Sequence, residues 1–345
     1  MTGKIERIAD QGEGRVRVLW LTPDKPANIS VGRRRIAEHL DVAGIDVTLR
    51  GTTPRTALRS LRERGEYDVV VGTTRAGALA GAALAVFTRT PLIVDHVDPI
   101  RQFAATNPRP LTLAVRLAEN VAFALADHVF YVYDEEERRV RRYAHRATKT
   151  DLGVAYKQFA DPDPAVIERA RKRLRREGVA VDARVLIYVG GLEPLYHVRE
   201  LLACVEDLPG WTIVVAGTGS LAGVVERTAS ERGDVCFLGT VSHETIPGYL
   251  HAADVGACLV DDPHTLKVLE YAAAGLPVVQ LRGWTEAHLG DLVEYCSSDP
   301  ADIARATRRA FQRDWENVAA LRVFARQYRW SMIAETYALA ITTSK

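Results

Sequence analysis

Short apolar segments alternate with helical segments along this chain, and this alternation restricts the possible folds more than any other feature of the sequence. In its first half, apolar runs lie at residues 16–21, 46–49, 67–71, 91–94 and 129–132. Each run is continuously apolar, which predicts strands buried on both faces, as in parallel sheets covered by helices. Helices are predicted over 33–43, with Gly32 at the start, and over 111–126.

The same alternation resumes after a segment that has the composition of a linker. Residues 159–164 contain two prolines and two aspartates, and a helix is predicted directly afterwards, over 165–177. Further apolar runs lie at 185–189, 212–216, 235–238, 255–259 and 277–280. The sequence therefore predicts an α/β protein with two Rossmann-like domains, at 1–158 and 165–326, whose parallel sheets face a central cleft where ligands bind.

Composition predicts a cytoplasmic protein. The 345 residues are 47% hydrophobic and 26% charged, and the longest apolar run, 76–87, is short of the ~20 residues needed to cross a bilayer. Residues 1–11 mix charges without an apolar core, so we expect no signal peptide. The four cysteines are far apart in sequence, which predicts reduced thiols and neither a zinc site nor disulfides.

Charge is distributed unevenly about a net value of +1. Residues 1–160 contain 25 lysines and arginines against 19 acidic residues, and the remainder is acidic. A basic first half suits an anionic acceptor or an anionic membrane surface, and hence peripheral association with its cytosolic face. The alternative that these charges are simply solvated and bind no partner is equally open. The densest basic run, 138–146, has two possible interpretations: it contacts lipid headgroups, or it is a solvated helix face whose positive charge is balanced by the acids at 134–137. The run lacks interleaved aromatic residues, which argues against nucleic-acid binding.

The segment 266–279, LKVLEYAAAGLPVV, contains the most specific pattern in the chain. A helix beginning near Lys267 directs its first amides and the positive end of its dipole toward an anion, and Lys267 adds a full charge. Glu270, one turn later, can accept hydrogen bonds from ribose hydroxyls. Gly275 and Pro277 end the helix before the next strand.

This pattern resembles the K-x-x-E motif of the retaining GT-B glycosyltransferases, family 4 in particular (glycosyl transferases group 1). Other segments are similar to that family in the same order, so that the resemblance covers nearly the whole chain. Residues 188–192, with Gly190 and Gly191, resemble the glycine turn that opens its donor domain. Residues 215–219, with Gly217 and Gly219, resemble its turn beside the nucleotide, and 237–243, with Val241, the segment that faces the base. Residues 328–330 resemble the start of its terminal helix, here 327–345, which crosses back to the first domain.

The resemblance also implies roles for single residues, some of which depart from the family pattern. Thr265 and Leu266 would bind the donor at the start of the helix. Asp262 takes the place of the first glutamate of the family's acidic pair, and could bind a donor-sugar hydroxyl. Asp262 and Glu270 are also the candidate catalytic residues of the second half. The usual arginine and lysine of the donor-domain loop are replaced by Gly191 and Tyr196, which leaves Lys267 as the main phosphate cation.

Candidates in the first half follow the strand predicted at 91–94. Val97 aligns with the family's histidine, and His96 lies one residue earlier. His96 is open between a catalytic and a structural role. Asp95 and Asp98 are candidates for binding the sugar or acceptor, and Asp98 is also a candidate catalytic residue. Gly32, predicted in a loop, would let backbone approach a phosphate.

The histidines of the second half are weaker candidates for functional residues. His243 and His251 lack metal-ligand spacing and are interpreted as surface or helix residues. His264 lies between the two acidic residues of the family pair and could touch the donor.

The implied activity is transfer of a hexose or related sugar from a UDP- or GDP-sugar to a lipid-linked acceptor, a cell-surface glycan or a glycoprotein precursor, with retention. No cofactor or metal is implied, and 159–164 would be the hinge. Two alternatives remain open: a sugar-nucleotide isomerase resembling a 2-epimerase, and a non-catalytic GT-B subunit. The sequence does not specify the sugar, base, acceptor, linkage or oligomeric state.

Overall fold

The computed structural model describes residues 15–22, 28–63, 65–262 and 265–344. They form two compact units. One comprises the described residues up to Gly153 together with those from Trp330 onward, and the other spans Val154–Arg329. Residues 1–11, where no signal peptide is expected, and the candidate His264 lie outside the described residues.

The first unit contains a six-stranded parallel sheet. Its strands are β1 (Val16–Leu21), β2 (Ile45–Arg50), β3 (Val69–Thr73), β4 (Leu92–His96), β5 (His128–Tyr131) and β6 (Ala147–Lys149). They lie in the order β2-β1-β3-β4-β5-β6. The helices between them are α1 (Asn28–Val42), α2 (Pro54–Arg62), α3 (Thr74–Thr88), α4 (Ile100–Ala104), α5 (Arg109–Leu125) and α6 (Asp134–Tyr143). Helices α2, α3, α5 and α6 pack side by side in that order.

The second unit contains another six-stranded parallel sheet. Its strands are β7 (Arg184–Gly191), β8 (Trp211–Thr218), β9 (Val235–Gly239), β10 (Val255–Cys258), β11 (Val278–Leu281) and β12 (Glu294–Cys296). Their order, β12-β11-β10-β7-β8-β9, makes the space between β7 and β10 the topological switch point.

Nine α-helices are described in the second unit. They are α7 (Tyr156–Ala160), α8 (Pro164–Arg176), α9 (Val198–Ala203), α10 (Ala222–Glu231), α11 (Ile246–Leu250), α12 (Leu266–Ala274), α13 (Glu286–Leu289), α14 (Pro300–Phe311) and α15 (Trp315–Arg326). Short 3₁₀ helices cover Pro194–Tyr196, Cys204–Asp207 and Gly290–Leu292. The last helix, α16 (Trp330–Ser344), packs on α1 in the first unit.

Continuous apolar runs form strands here because both faces of each sheet are covered. Along β7, Val185 and Ile187 belong to one apolar cluster, while Leu186 and Tyr188 belong to another on the opposite face. The final strand of each sheet, β6 and β12, was not predicted. Both are three-residue edge strands that contain polar residues, so they lack the apolar run that marks the others.

Residues 159–164, predicted as a linker, lie within the second unit. They include the end of α7 and the first residue of α8, where the Asp163 side chain accepts a hydrogen bond from the Ala165 amide. The chain passes between the units at 153–154 and 329–330. These two passages are adjacent, since Val154 and Arg329 form a parallel bridge and the Val154 amide donates to the Tyr328 carbonyl at 2.8 Å.

Trp330, the first residue of α16, packs where two glycines leave room for its ring. A methyl group on Gly153 would overlap the indole, and one on Gly32 would lie 2.9 Å from its Cη2 atom. We predict that Gly153→Ala lowers the free energy of unfolding by about 1–3 kcal/mol, because the ring must shift from a packed position. Denaturant unfolding measures the change. Gly233→Ala, where an added methyl meets no described atom within 4 Å, is the control. Equal stability of both variants would contradict the prediction.

Candidate nucleotide-binding site

The donor-binding residues predicted in the second unit lie at the carboxyl edge of its sheet. Gly190 and Gly191 end β7, Gly217 lies at the end of β8, and the segment leading to α12 follows β10. Since β7 and β10 are neighbours at the switch point, Gly190 and Lys267, which are 77 positions apart in the sequence, meet there. Ligands bind at this position in open α/β sheets.

Helix α12 begins at Leu266, directly at this edge. Thr265 precedes it in an extended conformation, and its hydroxyl interacts with the buried Cys258 thiol. The helix ends at Gly275, whose φ of 76° is readily adopted only by residues without a side chain, and the Leu276 amide returns to the Tyr271 carbonyl at 2.9 Å. The nine residues of α12 thus have a defined start and a defined end, and the first amides of the helix lie at the switch point.

The Lys267 ammonium group is enclosed by two aromatic rings. Its Nζ atom lies 4.1 Å from the centroid of the Tyr196 ring and 5.6 Å from that of Tyr188. Burial lowers the pKa of Lys267 below its ordinary value, while the charges of Glu270 and Asp262 oppose that shift. A desolvated cation held by ring faces is a strong attractor for an anion.

Gly190 and Gly191 provide the space that this arrangement needs. A methyl group on Gly190 would overlap Lys267 Cε and lie 3.0 Å from Nζ. One on Gly191 would lie 3.0 Å from Cε2 of Tyr196. Two positions at which the sequence departs from the family pattern, Gly191 and Tyr196, are therefore adjacent in space, and the ring of Tyr196 covers Lys267.

Gly217 and Gly219 allow close contact between backbones. Gly217 pairs with Gly190 across the sheet, has a φ of 152°, and would place a methyl group on the Gly190 carbonyl oxygen. A methyl group on Gly219 would lie 2.5 Å from the Leu192 oxygen. Both glycines are thus required by the packing of their own loops. Because they lack side chains, no side chain projects from these positions at the carboxyl edge of the sheet.

Glu270 is held by a histidine that the sequence placed among surface residues. His243 Nε2 lies 3.0 Å from Glu270 Oε1, and the histidine ring packs edge-on against Phe159. The His243 side chain is about half exposed (53%), so its surface position is observed, but its contact with Glu270 was missed. Because the partners are 27 residues apart on different elements, no spacing rule reveals this pair.

The remaining predicted donor residues lie nearby. Asp262 follows β10 and is half-buried, and its charge affects both Lys267 and Tyr196 by raising their pKa values. Its neighbour Asp261 belongs to a different turn, where it accepts a hydrogen bond from the Thr285 amide at 3.3 Å. Val241 lies in the loop after β9 and packs partly against the apolar core.

Gly32 does not lie in a loop, contrary to prediction. Helix α1 begins at Asn28, so that Gly32 is inside the helix and buried against Trp330. The glycine was interpreted as a helix start because the apolar positions recognised at helical spacing, Ile36 and Leu40, both follow it.

Asp95 is enclosed in an internal polar cluster. Arg33 bonds to both of its carboxylate oxygens, at 2.6 and 2.8 Å, and Thr73 and Tyr337 each donate to it at 2.7 Å. Both members of the Arg33–Asp95 pair are fully buried. Asp95 therefore links β4 to α1, β3 and α16, and its carboxylate is inaccessible to a sugar or acceptor.

His96 and Asp98 belong to a second charged cluster in the first unit. His96 is buried against Phe123, with Nε2 at 3.3 Å from Glu136 Oε2. The Asp98 side chain is about one-fifth exposed (21%) beside Arg75. Burial raises the pKa of Asp98 above its ordinary value, although the Arg75 charge lowers it.

Arginines connect these residues to α5 and α6. Arg75 lies 3.0 Å from Glu119, and Arg139 contacts both Glu119, at 2.7 Å, and Glu136, at 3.0 Å. Glu119 is completely buried, which the sequence did not indicate. Of the predicted catalytic residues in this unit, Asp98 is thus the more accessible.

Two of the five arginines in the basic run 138–146 are paired with acids. Arg139 is buried in the cluster just described, Arg141 pairs with Glu137 at 2.7 Å, and Lys149 pairs with Asp134 at 2.6 Å. Arg138, Arg142 and Arg146 are exposed, so the acids at 134–137 balance only part of this basic run.

The described ranges contain neither a cluster of metal ligands nor a membrane-spanning helix. No group of three or more metal-ligating side chains is found among residues 15–22, 28–63, 65–262 and 265–344. Within the same ranges, no helix has the length and apolar character to cross a membrane. The four cysteines are buried free thiols, and burial raises their pKa values to between about 11 and about 12.

The comparison with protein families concerns the unit that contains this site. Residues 183–313 match the family described as Glycosyl transferases group 1. This part of the chain is a domain of that family. The predicted resemblance is thereby confirmed, and the matched residues include β7, the glycine turns and α12.

Curated relatives match over less than half of the chain. A D-inositol 3-phosphate glycosyltransferase from Mycobacterium bovis is 32% identical over 165 residues, which are 45% of this chain and 34% of that protein. The same values hold for its counterpart in Mycobacterium tuberculosis. The match thus spans about a third of the length of these relatives.

Solved structures are similar over almost the whole chain. Anabaena HepE in complex with UDP has a TM-score of 0.75 at 17% identity, over 95% of this chain and 100% of that one. A glycosyltransferase from Rickettsia africae has a TM-score of 0.76 at 11% identity, over 96% and 99%. At such identities the likeness concerns the fold, and it confirms the predicted class, α/β of the GT-B type with two Rossmann-like sheets.

The charged cluster of the first unit generates a prediction about acid unfolding. Burial alone would raise the pKa of Glu136, but hydrogen bonds from His96 and the Ile100 amide, with the Arg139 charge, lower it to about 2. Ionised Glu136 therefore stabilises the fold above the unfolded-state pKa of about 4.3, and this contribution is lost as pH falls toward 2.

We expect Glu136→Gln to be less stable than the parent at neutral pH and to lose less stability between pH of about 4.5 and 2. Urea unfolding at several pH values measures both effects. Glu66→Gln, at an exposed position, is the control. An unchanged pH dependence in Glu136→Gln would refute the assignment.

Proposed function

We propose that this chain transfers a sugar from a UDP-sugar to a hydroxyl or phosphate acceptor, with retention of anomeric configuration. The observation that carries the proposal is the position of Lys267, a desolvated ammonium group at the start of α12 and at the switch point of its sheet. In this position Lys267 and the first amides of the helix neutralise a leaving diphosphate.

Other residues around α12 have distinct proposed roles. Glu270, oriented by His243, accepts hydrogen bonds from the ribose hydroxyls. Asp262 binds a hydroxyl of the donor sugar, and the amides of Thr265 and Leu266 contact phosphate oxygens. The glycine turns ending β7 and β8 let the backbone approach the diphosphate, and Val241 faces the base through its main chain.

The choice of UDP over GDP rests on solved structures of similar fold. Anabaena HepE has been solved with UDP, with UDP and glucose, and with UDP-glucose. Sucrose-phosphate synthase from Thermosynechococcus elongatus, with a TM-score of 0.72 at 17% identity, has the same fold. UDP-glucose is therefore the first donor to test, with GDP-sugars as the comparison.

The acceptor is proposed from chemistry that the relatives share. The curated relatives are D-inositol 3-phosphate glycosyltransferases, so an anionic polyol belongs in the acceptor panel. Lipid-linked acceptors and glycans complete it. In transfer, the bond between the sugar and the diphosphate breaks, a bond to the acceptor oxygen forms, and the acceptor proton is released. We propose that Asp98 contacts the acceptor and that His96 acts through Asp98. We propose no ligand contact for Gly32.

One assay separates this proposal from its two alternatives. The chain is incubated with labelled UDP-glucose and GDP-sugars, with and without inositol phosphate, polyprenyl phosphate and glycan acceptors. Label transfer that requires an acceptor supports the proposal. Conversion of the donor without an acceptor supports an isomerase, and donor binding without turnover supports a non-catalytic subunit. Transfer that persists after EDTA treatment supports a metal-independent reaction.

Lys267→Ala tests the residue on which the proposal depends. We expect kcat/KM to fall by about a hundredfold or more, because the leaving diphosphate loses a preorganised charge in a desolvated site. Lys172→Ala, at an exposed lysine on α8, serves as the matched control and keeps full activity. Activity of Lys267→Ala equal to that of Lys172→Ala would refute the proposed role.

His243 is proposed as a positioning residue for Glu270. We expect His243→Ala to raise KM for the donor about fivefold, the value of one hydrogen bond, with little change in kcat. His243→Gln, which retains a donor, should recover part of that affinity. A fall in kcat at constant KM would indicate a different role.

A further inference from the structure

Two neighbouring helices of the first unit expose an unusual amount of apolar surface. Leu113, Leu117, Val121 and Leu125 follow one another at intervals of four along α5, with exposed fractions between 47% and 59%. Phe87, near the end of α3, is 74% exposed, and Val86 is exposed beside it. We call these six residues the α3–α5 apolar face. Contiguous exposed apolar surface of this kind marks interaction sites in soluble proteins.

The two helices also enclose a groove. A cavity of about 370 Å³ lies between them, lined almost entirely by apolar side chains. Its walls include Leu79, Ala83 and Phe87 of α3, and Ala118, Val121 and Leu125 of α5. The apolar face thus has a depression that accommodates chains or side chains from a partner.

Charges around this face are mostly positive. Across α2, α3 and α5, which lie side by side, the only acidic residue is Glu119, and it is completely buried beside Arg75 and Arg139. The exposed arginines on or next to these helices are Arg55, Arg59, Arg62, Arg89, Arg109 and Arg116. Two acidic residues lie beside this set: Glu63, directly after α2, pairs with Arg59 at 2.8 Å, and Asp127, after α5, accepts a hydrogen bond from the Leu92 amide. Arginines are thus in excess around the apolar face, which matches an anionic lipid surface, where leucine and phenylalanine enter the acyl boundary and arginines meet phosphates.

We propose that the α3–α5 apolar face binds the chain peripherally to an anionic membrane. A second copy of the chain fits less well, because a symmetric dimer through this face would bring the two sets of arginines together around the same seam. Within the basic run 138–146, the first candidate for lipid contact, Arg139 and Arg141 are paired with acids, and Tyr143 is the only exposed large apolar side chain. The proposed membrane surface is therefore formed by α3 and α5, where several apolar side chains are exposed together.

The experiment is cosedimentation of the full chain with vesicles, compared between two matched valines. Val121 on α5 and Val323 on α15 are 59% and 61% exposed, and both are helical. The vesicles are phosphatidylcholine alone, or phosphatidylcholine with about one quarter phosphatidylglycerol. The variants are Val121→Asp, Leu117→Ser, Val323→Asp and a double variant, Arg138→Gln with Arg142→Gln, each checked for folding by circular dichroism.

We expect the parent chain to bind the vesicles that contain phosphatidylglycerol, and to bind less at high salt. Val121→Asp should reduce binding about tenfold, and Leu117→Ser should reduce it in the same direction, because the apolar face no longer enters the bilayer. Val323→Asp should bind like the parent.

Four results would overturn the inference. They are absence of binding by the parent, equal binding by Val121→Asp and Val323→Asp, loss of binding only on replacing Arg138 and Arg142, and a parent dimer in sedimentation velocity that Val121→Asp dissociates. Vesicle binding needs neither donor nor acceptor, so its failure leaves the transfer assay unaffected, and failure of transfer leaves this inference unaffected.

Discussion

Lys267 can occupy the carboxyl edge of the second sheet only because Gly190, at the end of β7, has no side chain. This steric constraint connects the fold to the site. The pairing of Gly190 with Gly217 brings two backbones into close contact. The absence of side chains at these glycines leaves room for Lys267, and the ring of Tyr196 covers its ammonium group. Helix α12 then presents its first amides beside that charge. An anion-binding corner thus results from parallel pairing, two glycines and one helix start.

Much of this corner could be predicted from the sequence because its parts are local. The run 266–279 specifies a helix with a lysine at its start, a carboxylate one turn later and a glycine at its end, and each is where the pattern placed it. Strands with continuous apolar runs were also predicted to within a few residues. The edge strands β6 and β12 were missed, since a three-residue strand with one solvated edge needs no apolar run.

Contacts between distant elements were beyond the reach of the sequence. Nothing in the spacing indicated that His243 meets Glu270, or that Arg33 and Tyr337 enclose Asp95. Gly32 was assigned to a loop because the helical spacing of Ile36 and Leu40 was recognised only after it, and only the packing of Trp330 explains the glycine. The buried ion pairs of the first unit likewise satisfy one another across β4, α5 and α6, an arrangement that depends on tertiary structure alone.

The central claim is that Lys267 and the start of α12 bind the diphosphate of a nucleotide. A crystal structure of the chain with UDP tests it most directly. We predict that a phosphate oxygen lies within about 3 Å of Lys267 Nζ and of an amide in the first turn of α12, with ribose hydroxyls at Glu270. A diphosphate located elsewhere, with Lys267 still enclosed by Tyr188 and Tyr196 and in contact with no phosphate, would contradict the account.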